Sequence, residues 1–309
     1  MIIAVIAVLL ILAVLLTITY ICYRIAFYVS PKLNKNPYIM LEGEQYEALK
    51  DEITQMVDSV IDLKYTDCYT TSFDGYRLRA RYYEVDKNAP LEIMVHGYKS
   101  IALRDYCGSL KETLDRGINV LLVDQRAHGE SEGRCLSFGI LERYDCLSWA
   151  RFAYDKFGKD KKIILVGVSM GAATVLMASE LELPENVVGI IADSGYSSAE
   201  AIIKKVIGDM KLPVKLAYPF AYIGAKIFGR FNLRERTVTD AVKNCKIPVM
   251  IVHGADDRFV PCEMCKEIYE ACTAPKILLT VKEAGHGLSF LIDNNAYNQK
   301  LDEFLEMVL

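Results

Sequence analysis

Residues Lys162-Ile163-Ile164-Leu165-Val166-Gly167-Val168-Ser169-Met170-Gly171-Ala172 decide how this chain folds. After Lys162, the next four are apolar and mostly β-branched and predict a buried strand. Ala172 to Ala178 is a run of small and aliphatic residues that predicts a helix start. A strand that turns into a helix within a few residues bends too tightly for bulky side chains, so Gly167 and Gly171 meet a steric need. Ser169 is left at the carboxyl end of the strand, beside the first amides of the helix. G-x-S-x-G alone arises by chance in roughly one chain of this length in ten. The bland alternative is a glycine-rich turn with an incidental serine, and the rest of the chain must decide.

Working outward, strands alternate with helices. Strands are expected at Leu91–Val95, Asn119–Val123, Lys162–Val168, Val187–Ala192, Pro248–Val252 and Lys276–Val281. Helices are expected near Ser100–Arg116, Ile140–Phe157, Met170–Leu183, Cys262–Ala271 and Asn294–Val308. This rhythm implies an α/β architecture, a mostly parallel sheet with helices on both faces. Before it, Thr66–Ser72 and Tyr76–Val85 flank Phe73-Asp74-Gly75 as a hairpin, with Arg77, Arg79 and Arg81 on a wet face. Between Ser197 and Cys245 no strand is evident. An insertion after a strand's carboxyl end overhangs the site edge, so residues 198–245 are expected to form a small helical lid. Its Tyr218, Phe220, Tyr222, Phe228 and Phe231 could line an acyl pocket, but aromatics at such spacing more often pack in a core.

Residues Met1 to Tyr23 carry no charged side chain. Twenty-three helical residues span roughly 34 Å, enough for a hydrocarbon core. No Lys or Arg precedes the run and no A-x-A site follows it, which disfavours a cleaved signal. Residues 1–29 are therefore expected to be a single-pass anchor in the cell membrane. Arg24, Lys32 and Lys35 all follow it, placing the remainder on the cytoplasmic side. Residues 30–65 are expected to hold a linker, Ser30 through Pro37, and an amphipathic helix, Glu44 to Leu63, packed on the main domain. The main domain is residues 66–309.

The chain has 309 residues, 52% hydrophobic and 25% charged, and a net charge of −4. With no basic excess, nucleic acid is not an expected partner. Nine scattered cysteines fit reduced thiols. Cys262-Glu263-Met264-Cys265 is a lone pair on a helix without partner ligands, so no metal is expected.

A serine hydroxyl needs a base. Of four histidines, His286 follows the last strand in Glu283-Ala284-Gly285-His286-Gly287, where glycines suggest a mobile loop. A carboxylate must orient the base; Asp256 and Asp257 both follow the strand before it. For the oxyanion, Gly97 turns the backbone so that the Tyr98 amide faces the site, and Met170 supplies a second amide. His96, His128 and His253 are expected to brace loops.

Four motifs in order carry a family resemblance. They are His96-Gly97-Tyr98, Asp124-Gln125-Arg126-Ala127-His128-Gly129-Glu130-Ser131, Gly167-Val168-Ser169-Met170-Gly171, and His253-Gly254-Ala255-Asp256-Asp257-Arg258-Phe259-Val260-Pro261. Over about residues 66–309 the chain resembles the α/β-hydrolase superfamily. It is similar to its membrane-anchored bacterial serine-hydrolase branch, grouped with serine-aminopeptidase-like and esterase/lipase-like members. The resemblance implies Ser169, His286 and Asp257 as the triad, Asp257 rather than Asp256 because the acid is the fifth position of its motif. It implies hydrolysis of an ester or thioester, less so an amide, of small or medium acyl size and without a cofactor. An acyltransferase, or a silent binding protein on the same fold, are the alternatives. Ala127 departs from the usual glycine, which predicts a slightly re-shaped loop.

Overall fold

The computed structural model describes residues 1–30, 36–39 and 43–309. Most of the expected linker, with Lys32 and Lys35, lies outside the described residues. Eight strands form one sheet: β1 Thr66–Thr71, β2 Arg77–Tyr83, β3 Leu91–Val95, β4 Asn119–Asp124, β5 Ile163–Val168, β6 Val187–Asp193, β7 Val249–Gly254 and β8 Lys276–Val281. Their order is β1-β2-β4-β3-β5-β6-β7-β8. β1 and β2 are antiparallel, β2 runs antiparallel to β4, and the rest are parallel. The central strands are apolar because crossover helices cover both faces.

Alternation along each strand divides the core in two. On one face Leu91, Ile93, Val95, Leu165, Ile190 and Ile251 pack under helices Glu142–Phe157, Met170–Ala178 and Cys262–Ala271. On the other, Met94, Leu122, Ile164, Val166, Ile191 and Met250 pack under helices Lys50–Val60, Cys107–Asp115 and Asn294–Val308. The expected helix over 44–63 is two helices, Glu44–Ala48 and Lys50–Val60, broken at Leu49; Ile53, Val57 and Val60 are buried. The expected helix over 100–116 is likewise broken at Tyr106.

Helix Ile2–Ala26 is long and apolar enough to cross a membrane, and most of it is exposed. Its last turns are different. Tyr23, Phe27 and Val29 are buried, Tyr28 bridges to Cys135, and the Val29 amide donates to the Arg134 carbonyl at 2.9 Å. Helix Val214–Gly224 packs beside it so closely that a Cβ on Gly224 would meet the Thr19 carbonyl oxygen at 2.9 Å.

Two expectations fail here. Arg79 does not sit on a wet face: it is 3% exposed and paired with Asp67 at 2.6 Å and Asp124 at 3.2 Å. Strand alternation is overridden because two carboxylates satisfy the guanidinium. Residues 198–245 do not border the main cavity either, as the expected lid would. Phe228 lies against Tyr20 and Tyr23, with ring centroids 5.1 and 5.6 Å apart, and Phe231 against Phe27 at 5.3 Å. Part of the segment's apolar surface packs on the N-terminal helix, while Leu216, Ile223 and Ile227 stay exposed.

Candidate active site

The bend after β5 is as tight as the sequence requires. A Cβ on Gly167 would lie 2.3 Å from the Gly171 backbone, and one on Gly171 would lie 1.8 Å from the Val95 carbonyl oxygen. Ser169 itself holds φ 56° and ψ −116°, a conformation that L-residues rarely adopt. Its amide donates to the Asp193 carbonyl at 2.8 Å, which pins the strained residue to β6.

Three side chains from distant turns meet there. His286 Nε2 is 2.9 Å from Ser169 Oγ, and His286 Nδ1 is 2.7 Å from Asp257 Oδ2. Asp257 Oδ1 accepts from the Phe259 and Val260 amides, both at 2.8 Å. Asp256 is exposed and outside this chain of contacts. Burial raises the Asp257 pKa, but His253, His286 and the Val260 amide outweigh it and hold the carboxyl well below its usual range. The group is thus a fixed anion beneath the imidazole.

The His286 loop is tied down rather than mobile. The Tyr46 hydroxyl donates to the His286 carbonyl at 2.6 Å, and the Gly287 amide donates to Ser194 Oγ at 3.0 Å. Gly285 lies against Gln45, whose side-chain end would have to shift to admit a Cβ there. Tyr46 and Gln45 lie in helix Glu44–Ala48; in the sequence Tyr46 reads only as an apolar position of an amphipathic helix, and Gln45 carries no motif. His253 does brace its loop, with Nε2 2.8 Å from the Val260 carbonyl, but it is also 3.3 Å from Asp257 Oδ2 and so backs the carboxylate.

Tyr98 and Met170 flank Ser169. Gly97 lies against the serine, 3.3 Å from its Cβ by the position of an added methyl, and the Gly97 amide donates to Asp105 Oδ2 at 2.9 Å. Met170 is the first residue of its helix, so its amide has no acceptor one turn back. The Tyr98 side chain turns away, its hydroxyl donating at 2.9 Å to the Ala26 carbonyl at the end of the N-terminal helix. His96 and His128 brace turns: the Gln125 amide donates to His96 Nε2 at 3.1 Å, and His128 Nδ1 is 2.9 Å from the Arg126 carbonyl. Cys262 and Cys265 are buried against the sheet.

Ser169 and His286 border a cavity of about 750 Å³, within the usual size of a small-molecule site. Exposed Glu44, Arg258 and Phe259 rim it near His286; Met94, Val166, Ile191 and Leu301 line its depth. Among the described residues, none of 198–245 lines it. Its cover comes from residues 43–56 instead.

Residues 93–222 match the family model described as alpha/beta hydrolase fold. The chain has the α/β-hydrolase fold. An esterase from Pyrococcus furiosus superposes on it with a TM-score of 0.66, at 23% identity, over 92% of this chain and 99% of that one. Est1E from Butyrivibrio proteoclasticus, solved with ferulic acid, superposes at 0.59 and 21% identity over 79% and 99%. Among curated relatives, the uncharacterized protein YqkD of Bacillus subtilis is 28% identical over 62% of this chain and 64% of its own. Thiohydrolase aneE of Aspergillus aculeatus is 31% identical over 37% of each chain. The chain thus spans less than two thirds of the length of these relatives.

Proposed function

We propose that this α/β-hydrolase is a serine hydrolase that cleaves carboxylic esters or thioesters through an acyl-enzyme. The observation that carries the reading is the unbroken contact from Asp257 through His286 to Ser169, opening on a largely apolar cavity. Ser169 Oγ attacks the acyl carbon while His286 Nε2 takes its proton. The carbonyl oxygen becomes an oxyanion held by the Tyr98 and Met170 amides, each such donor worth about 3 kcal/mol. Collapse breaks the bond to the alcohol or thiol, which leaves with the proton from His286. Water, deprotonated by His286, then frees the acid and restores Ser169. The names of the Pyrococcus furiosus esterase and the Aspergillus thiohydrolase agree with an acyl substrate of this kind.

The N-terminal helix is read as a single-pass anchor with the domain on the cytoplasmic side. Its burial of Tyr23, Phe27 and Val29 in the domain supports retention over cleavage, since removal would strip the core. A fluorophosphonate probe tests the chemistry. Labelling is expected at Ser169, and Ser169→Ala is expected to lose both label and ester turnover while melting within a degree or two of the parent. Undiminished turnover in that variant would overturn the reading.

A further inference from the structure

The deep end of the cavity holds a carboxyl that the hydrolytic chemistry does not use. Glu92 is the second residue of β3, between Leu91 and Ile93, and is 3% exposed. Its register neighbours are Val120 and Ile164. A carboxyl among aliphatic side chains is costly unless it is paired and fully hydrogen-bonded. Its one hydrogen bond among the described residues is from Thr113 Oγ1, at 3.2 Å to Oε2. No cation pairs with it there; Arg116, the nearest candidate, is engaged by Glu112, Asn298 and Asp302. Both Glu92 and Thr113 line the same cavity as Ser169 and His286. Burial pushes the Glu92 pKa up to about 7, with Thr113 and Arg116 opposing, so near neutrality the group both donates and accepts.

The register sets a length. Glu92 sits beside Ile164, five residues before Ser169, which is about 16 Å along the sheet and matches an acyl chain of roughly twelve carbons. The walls between are apolar, with Met94, Val166, Ile191 and Leu301 among them. They suit methylenes, although Asp105, Asp193 and Tyr297 also line the cavity.

We propose that Glu92, assisted by Thr113, binds a hydroxyl at the far end of a long acyl chain whose carboxyl derivative sits at Ser169. The site would select ω-hydroxyacyl substrates over plain acyl chains of equal length. The proposal deepens the serine-hydrolase reading and rests on it for the placement of the carbonyl end.

The test uses full-length protein in detergent carrying Ser169→Ala, titrated by calorimetry with 12-hydroxydodecanoate and with dodecanoate. The hydroxy acid is expected to bind about tenfold tighter, the usual worth of a hydrogen bond to a carboxyl. Adding Glu92→Leu should reduce that preference below about twofold while dodecanoate binding holds or improves. Adding Glu92→Gln, which keeps a donor and an acceptor, should retain most of it. Equal binding of the two acids, or a preference that survives Glu92→Leu, would overturn the proposal. Binding needs no turnover, so the two readings fail separately. A lost preference with fluorophosphonate labelling of the Ser169-bearing parent intact removes the selectivity alone. A Glu92-dependent preference without labelling keeps the site and removes the hydrolase.

Discussion

Asp256 and Asp257 are adjacent, acidic and after the same strand, yet only one can serve His286. Asp257 is buried and receives two amides as well as the imidazole; Asp256 faces solvent. Asp257→Asn should lower kcat for an activated ester by roughly four orders of magnitude, because the amide favours the wrong imidazole tautomer. Asp256→Asn should stay within about twofold in the same assay. Glu92 supplies a second residue-scale expectation. Its pKa rises from 4.5 to about 7 on folding, so the folded chain keeps a proton that the unfolded chain has released. Its contribution to stability is therefore greatest below about pH 4.5 and lost as pH rises to about 7, by up to roughly 3 kcal/mol. Denaturant midpoints across that window should show the fall in the wild type and lack it in Glu92→Gln. This residue was invisible in the sequence because a single Glu inside Leu-Glu-Ile-Met-Val reads as one blemish in a buried strand.

Turns were the most legible elements. Ser169 and His286 each follow a strand in a short glycine-bearing stretch that local chemistry could point to, whereas Asp256 and Asp257 stayed equivalent until the family resemblance chose between them. Ala127 was legible as a departure, and the structure gives its cost: φ is 66°, the left-handed region that glycine enters freely. Ala127→Gly is expected to stabilise the fold by about 1 kcal/mol, read as a higher melting temperature with unchanged ester turnover. The cover was not legible. Residues 44–63 and 198–245 are both apolar, helical and interrupted, and neither pattern says which face of the sheet it will meet. Packing decides: Ile53 and Val57 meet the face that carries the cavity, while Phe228 and Phe231 meet the N-terminal helix. Arg79 shows the same limit, since its two acidic partners come from β1 and β4.

At the scale of the whole molecule, the N-terminal helix has two unlike halves. Its first half is apolar and free, whereas Phe27 just past its end is fully buried among Phe138 and Phe231. Phe27→Ala should cost about 3–5 kcal/mol by chemical denaturation of the detergent-solubilised protein. Leu10→Ala, on the exposed half, should change it by less than about 0.5 kcal/mol. The sequence marked the segment as membrane-spanning but held no sign of this division, because Tyr23 and Phe27 are as compatible with lipid as with a protein core.

The join between that helix and the domain has a mechanical side. Tyr98 and Lys99 grip the carbonyls of Ile25 and Ala26, and both stand one or two positions from Gly97, which touches Ser169. A shaft clamped so near the nucleophile cannot swivel without dragging the oxyanion turn along. Any torque or tilt applied to that helix would therefore be delivered to the backbone of residues 98 and 99, next to the glycine that touches Ser169.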